Sequence, residues 1–156
     1  MAIIQPYRIT IHVSDSDFDH HDDISVIDSW HRERGFRKGG YHEFIQRNGS
    51  FQNHDTHPNF ARAIQPMFET GAHVRGQNAG NLGICVHGKT RFTREQFFTL
   101  RARVKYFMQL FFIEKELVKG HNYYDPTKHC PVFDYEEVIF GQNPPQLHFP
   151  PKHKHV

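Results

Sequence analysis

The sequence predicts a single α/β domain with a central mixed β-sheet and helices packed against it. Three features point there. The chain has 156 residues, a length that suits one domain built on one core. A strand pattern opens it at residues 8–13, and a short apolar run suited to an interior strand follows at 82–86. Longer stretches with a helical repeat occupy about 24–34 and 94–116.

Arg8-Ile9-Thr10-Ile11-His12-Val13 alternates around β-branched residues. Ile9, Ile11 and Val13 share one face, and Thr10 and His12 share the other. His12 falls at the strand's C-terminal end, where α/β sheets usually carry their sites. Asp17 to Asp23 is an acidic loop. Asp22 or Asp23 caps a helix from Ile24 to Arg34, with Ile24, Ile27, Trp30 and His31 on its inner stripe. Trp30 is expected in the core, and Gly35 is the stop. Gly39 to Phe51 reads as a strand, an Asn48-Gly49 turn and a return strand.

Residues 54–67 have no period, and 71–81 form a loop rich in Gly and Asn. Leu82 to Val86 is the interior strand, with Cys85 as a small buried hydrophobe. Thr93-Arg94-Glu95-Gln96 is a capping box that opens a helix running to about Glu116. Phe97, Leu100, Val104, Phe107 and Phe111 form its stripe. Phe98, Met108 and Phe112 widen that stripe and predict packing on more than one side. A short helix follows Asp134 through Val138. Residues 1–140 would make the domain, and 141–156, rich in Pro, His and Lys, a flexible tail.

Composition narrows the function. Lys plus Arg number 19 against 17 Asp plus Glu, a balance that argues against a nucleic-acid partner. No apolar run approaches about 20 residues, so no membrane partner is expected. The N-terminus lacks the basic region and apolar core of a signal peptide. Two cysteines make no disulfide framework. Histidine is the outlier, with 14 copies, most of them expected at the surface.

Gly120 to Pro131 concentrates the chemistry. His121 and Cys130 flank a turn at Asp125-Pro126, with Lys128 between them. A His nitrogen and a Cys sulfur both suit zinc, but two ligands need a third. Across the chain the candidates for chemistry are His12, Tyr41, His42, His73, His121, Lys128 and Cys130.

Four segments occur in a telling order: Ile11-His12-Val13-Ser14, Gly40-Tyr41-His42, Gly71-Ala72-His73 through Gly83-Ile84-Cys85, and Gly120-His121 through His129-Cys130-Pro131. Over residues 8–135 the chain resembles the zinc-dependent N-acetylmuramoyl-L-alanine amidases of the type 2 family, above all their short phage lysozymes, or endolysins. Peptidoglycan-recognition proteins share that fold. The resemblance implies Zn2+ as cofactor on His12, His121 and Cys130, catalytic Tyr41 and Lys128, and a substrate-binding groove lined by His73. It implies peptidoglycan as partner, a monomer, and hydrolysis of the amide between N-acetylmuramic acid and L-alanine. The expected setting is phage lysis, with the protein held in host cytoplasm until the membrane is opened.

Three protein ligands leave a fourth zinc position open, the mark of a catalytic site. Lys128, two residues from a ligand, would supply positive charge to the oxyanion. Tyr41 would orient the attacking water, or donate to the oxyanion or the leaving amine. Some relatives use a catalytic Glu in the strand that is here Leu82 to Val86, and no carboxylate lies there. That absence leaves a non-catalytic peptidoglycan-binding module as the alternative. His42 should point away from Tyr41 and is read as structural. Recruitment of His129 would instead close a structural zinc site.

Overall fold

The computed structural model describes residues 5–141. Five strands form one sheet: β1 (Arg8–Val13), β2 (Glu43–Ile45), β3 (Phe51–Asn53), β4 (Asn81–Val86) and β5 (Val118–Gly120). Their order is β3-β2-β4-β1-β5. β1 runs parallel to both β4 and β5, β2 parallel to β4, and β3 antiparallel to β2. The sheet is therefore mixed, as expected, and β4 is interior.

Four helices complete the fold: α1 (Ile24–Glu33), α2 (Arg94–Phe111), α3 (His121–Tyr124) and α4 (Tyr135–Phe140). Alternation along the central strands divides the apolar residues between the two faces. Ile9, Ile11, Leu82, Ile84 and Val86 pack with Phe97, Leu100, Val104, Phe107 and Ile139 into the main core, under α2 and α4. Phe44 and Cys85 pack on the other face with Ile24 and Ile27 of α1.

Local chemistry sets the helix ends. Asp23 caps α1, its carboxylate accepting from the Ser25 amide at 2.8 Å. Thr93 and Gln96 form the expected capping box on α2. Buried Arg101 of α2 donates to the carbonyls of Val138 at 2.8 Å and Gly141 at 3.2 Å. It thereby satisfies acceptors that the end of α4 leaves open.

Several expectations need correcting. Trp30 is half-buried at the edge of the smaller cluster rather than in a core. α2 stops at Phe111, five residues early, because Phe112 turns left-handed at φ 57° while its amide still reaches the Met108 carbonyl. Phe98 is 38% exposed and Phe112 90% exposed, so the widened stripe does not become a second packed side. β2 begins at Glu43 rather than Gly39. The hairpin loop is not a two-residue Asn-Gly turn. The Gly49 amide donates to the Gln46 carbonyl at 2.8 Å and only Gly49, at φ 91°, is left-handed, which is the three-residue form. β5, α3 and a 3-10 turn at Asp19–His21 were not foreseen. The tail expected at 141–156 lies outside the described residues beyond Gly141. Among the described residues no helix is long and apolar enough to cross a membrane.

Candidate metal centre

The parallel register of the sheet assembles the site. Ile11 of β1 pairs with Gly120 of β5. His12 follows Ile11 on β1, and His121, the first residue of α3, follows Gly120 directly, so the two histidines meet at the C-terminal ends of β1 and β5. Their ring centroids are 4.6 Å apart. Cys130 arrives on the loop after α3. Its carbonyl accepts from the Asn122 amide at 2.8 Å, and the Lys128 amide donates to the Asp125 carbonyl at 2.9 Å, closing the expected turn. The Val13 amide donates to Cys130 Sγ at 2.9 Å. The donor atoms of His12, His121 and Cys130 all lie within 4.8 Å of one another.

The residues suit zinc. Burial, with the neighbouring imidazoles adding to it, holds His12 well below the usual histidine range. His121 is lowered too, by burial and then by the Lys128 charge. Both rings are thus neutral with a lone pair to offer. Burial pushes the Cys130 thiol up to about 12, against the pull of the Val13 amide and Lys128. A cation is what would make a thiolate favourable there. Two imidazoles and one thiolate are a ligand set zinc favours. His129 is exposed and stands outside this ligand group.

The centre opens into a pocket of roughly 230 Å³ walled by Trp30 of α1, Arg34 at its C-terminal cap, Tyr41, Lys128 and His129. The Tyr41 ring lies 4.9 Å from that of His12 and 5.2 Å from that of His31. Burial raises its phenol well above the ordinary value, and the Cys85 thiol is a near neighbour. His31 is held down at about 4 by burial, so its Nδ1 is free to accept the Gly40 amide at 2.8 Å. That bond fixes the backbone entering Tyr41. Lys128 is exposed at the rim.

The remaining candidates lie away from the opening. His42 is fully buried, accepting from the Gly83 amide at Nδ1 (3.0 Å) and donating from Nε2 to the Glu69 carbonyl (2.7 Å). His73 is 9% exposed and does not line the pocket. It sits behind His12, with Nδ1 at 2.9 Å from His12 Nε2 and Nε2 at 2.7 Å from the Asn81 carbonyl. No carboxylate enters from β4, whose residues on this face are Asn81, Gly83 and Cys85. Glu43 lies on the opposite face, paired with Arg103 of α2 at 2.5 and 2.9 Å. Sequence reasoning passed over Trp30 and Arg34 as pocket walls, although their i, i+4 spacing along the helical pattern was a usable sign. It also passed over Asn81, for which a loop position gives no sign.

The family model described as N-acetylmuramoyl-L-alanine amidase matches residues 4–133. Among related sequences, an endolysin of Enterobacteria phage K11 is 26% identical over 124 residues, 74% of each chain. The solved N-acetylmuramoyl-L-alanine amidase LysC from Clostridium intestinale URNW superposes with a TM-score of 0.71 at 26% identity, over 86% of this chain and 83% of that one. Wild-type PGRP-LB of Drosophila shares the fold, with a TM-score of 0.63 at 19% identity over 82% of this chain and 75% of its own. The family match spans His12, His121 and the cysteine loop, and the chain belongs to the N-acetylmuramoyl-L-alanine amidase family.

Proposed function

We propose that the chain is a zinc amidase of the endolysin type, cutting the amide between N-acetylmuramic acid and L-alanine in peptidoglycan during phage lysis. The observation that carries this reading is the convergence of His12, His121 and Cys130 within 4.8 Å, at the floor of an open pocket that also holds Tyr41 and Lys128. Family membership supports the reaction, and endolysin relatives support the setting.

His12 and His121 would hold the ion through neutral imidazoles, and Cys130 through a thiolate that the Val13 amide steadies. Zinc held there supplies a Lewis acid for the scissile carbonyl and for water. Lys128, exposed at the rim, brings an ammonium to the negative charge that develops on the carbonyl oxygen. Tyr41 keeps its proton across the neutral range, because burial raises its phenol above the ordinary value. It therefore acts as a donor, to the oxyanion or the leaving amine, or holds the attacking water. The reaction frees the amino terminus of L-alanine.

The test is turbidity of purified cell walls, with and without a chelator, alongside a count of new L-alanine amino termini. Clearing and new termini that vanish with the chelator and return with zinc are expected. Zinc-loaded protein that binds walls yet frees no termini would make the chain a binding module.

A further inference from the structure

Among the described residues, His73 is the one buried histidine whose side chain is bonded to that of a proposed ligand. Its Nε2 lies 2.7 Å from the Asn81 carbonyl, which can only accept, so Nε2 carries the proton. Among the described residues no carboxylate bonds either ring, and both are buried, which favours neutral imidazoles. Neutral His73 then has a bare Nδ1. That atom is 2.9 Å from His12 Nε2 and must accept, so His12 is protonated at Nε2. The nitrogen left with a lone pair is His12 Nδ1.

We infer that His73 is a positioning residue: it locks His12 in the Nε2–H tautomer and so presents Nδ1 to the metal. This rests on the proposed metal site.

The surroundings are built to hold that ring. A Cβ added at Gly83 would lie 2.8 Å from three atoms of the His73 ring, and one added at Gly71 would lie 2.8 Å from its Cδ2. Only glycine leaves room at these two positions. The Asn78 side chain accepts from the amides of both His73 and Val74 at 2.8 Å. Asn81, whose carbonyl ends the relay, is itself held by Thr10 Oγ1 at 2.7 Å and by the Gln77 carbonyl at 2.8 Å. Thr10 shares the His12 face of β1, so one strand carries both the ligand and an anchor of its support. Partners of this kind fix a ligand's tautomer and ring angle, and their loss typically weakens metal binding about 10–100-fold.

Ring-nitrogen NMR correlations on the full chain test the tautomer directly. Protons on Nε2 of both His12 and His73 are expected in zinc-free protein, and zinc on His12 Nδ1 in the loaded form. A proton on His12 Nδ1, or zinc on its Nε2, overturns the inference. Zinc affinity by chelator competition gives the second readout. His73→Leu should lose about 10–100-fold and change the visible spectrum of the cobalt form. His73→Asn, whose Oδ1 can take the place of Nδ1 as acceptor, should recover part of the loss. A folded His73→Leu with unaltered affinity and spectrum overturns the inference. Unaltered protein that takes up no zinc would defeat the metal site instead, and the zinc-free tautomer still decides the lock.

Discussion

The two faces of the sheet solve different problems with the same strands. Under α2, the face is a continuous apolar core, and its one buried carboxylate, Glu43, is held by Arg103 and Asn53. Under α1, the apolar cluster is small and shares the layer with buried imidazoles and a thiol: His12, His31, His73 and Cys85, with Tyr41 among them. The first face supplies stability through burial. The second spends part of its area on groups that must stay neutral and be hydrogen-bonded to be tolerated. Alternation along a strand is what lets one residue, such as Ile11, serve the first face while His12 serves the second.

If this division is right, substitutions on the α1 face should change chemistry more than folding, and those on the α2 face the reverse. The largest effect is expected at Cys130. Cys130→Ser replaces a thiolate by a poor alcohol ligand, so zinc stoichiometry and wall clearing should both fall to background while far-UV dichroism is kept. Retained stoichiometric zinc would remove Cys130 from the ligand set. Next is Tyr41→Phe, expected to keep zinc and fold but lose about 10²–10⁴-fold in rate. Full activity would leave Tyr41 as packing alone.

On the other face, Glu43→Ala strands Arg103 beside the core and should cost about 3–5 kcal/mol in urea unfolding, with the zinc affinity of the folded fraction unaltered. A change in zinc affinity there would blur the comparison. The smallest effect is a pH dependence at His42, a residue with its ring in the interior and no place in the pocket. Burial holds it at about 4 in the folded chain, against roughly 6.5 when unfolded. Below pH about 6.5 the unfolded state therefore binds the extra proton, and stability falls as pH drops toward 4. Its share is at most about 1.4 kcal/mol per pH unit, with none lost above neutrality. An NMR titration showing the His42 ring charging near 6.5 would contradict this.

The same contrast explains how much could be read from the sequence. The core of the α2 face was legible because its apolar spacing is its structure: the β1 alternation and the stripe from Phe97 to Phe107 follow directly from the periods of strand and helix. The end of α2 was not, because the apolar repeat continues through Phe111 and Phe112 while the backbone turns left-handed at Phe112. β5 was missed because Val118-Lys119-Gly120 is too short to show a period. At the metal centre, His121 and Cys130 were legible as a zinc-suited pair flanking a turn, while His12 as their third partner came from the resemblance, and the convergence of the three follows from a register that no local pattern encodes. The placement of His73 behind His12 was out of reach for the same reason: it depends on a loop, 71–80, folding back over β1 and β4.

The pairing of Ile11 with Gly120 has a further consequence. It joins residues more than a hundred positions apart, so the metal centre exists only once the two ends of the fold have met. A slip of one residue between β1 and β5 would carry Gly120, and with it His121 at the start of α3, out of register with His12 and abolish the centre. Zinc capture at the proposed centre would thus be a report on strand register. It would also be a thermodynamic latch, because an ion that binds only the closed fold stabilises it by mass action, by about 4 kcal/mol at a thousandfold excess over its dissociation constant. A chelator should then lower the melting temperature as well as the activity, and a chain still short of β5 during synthesis would have no such centre to fill.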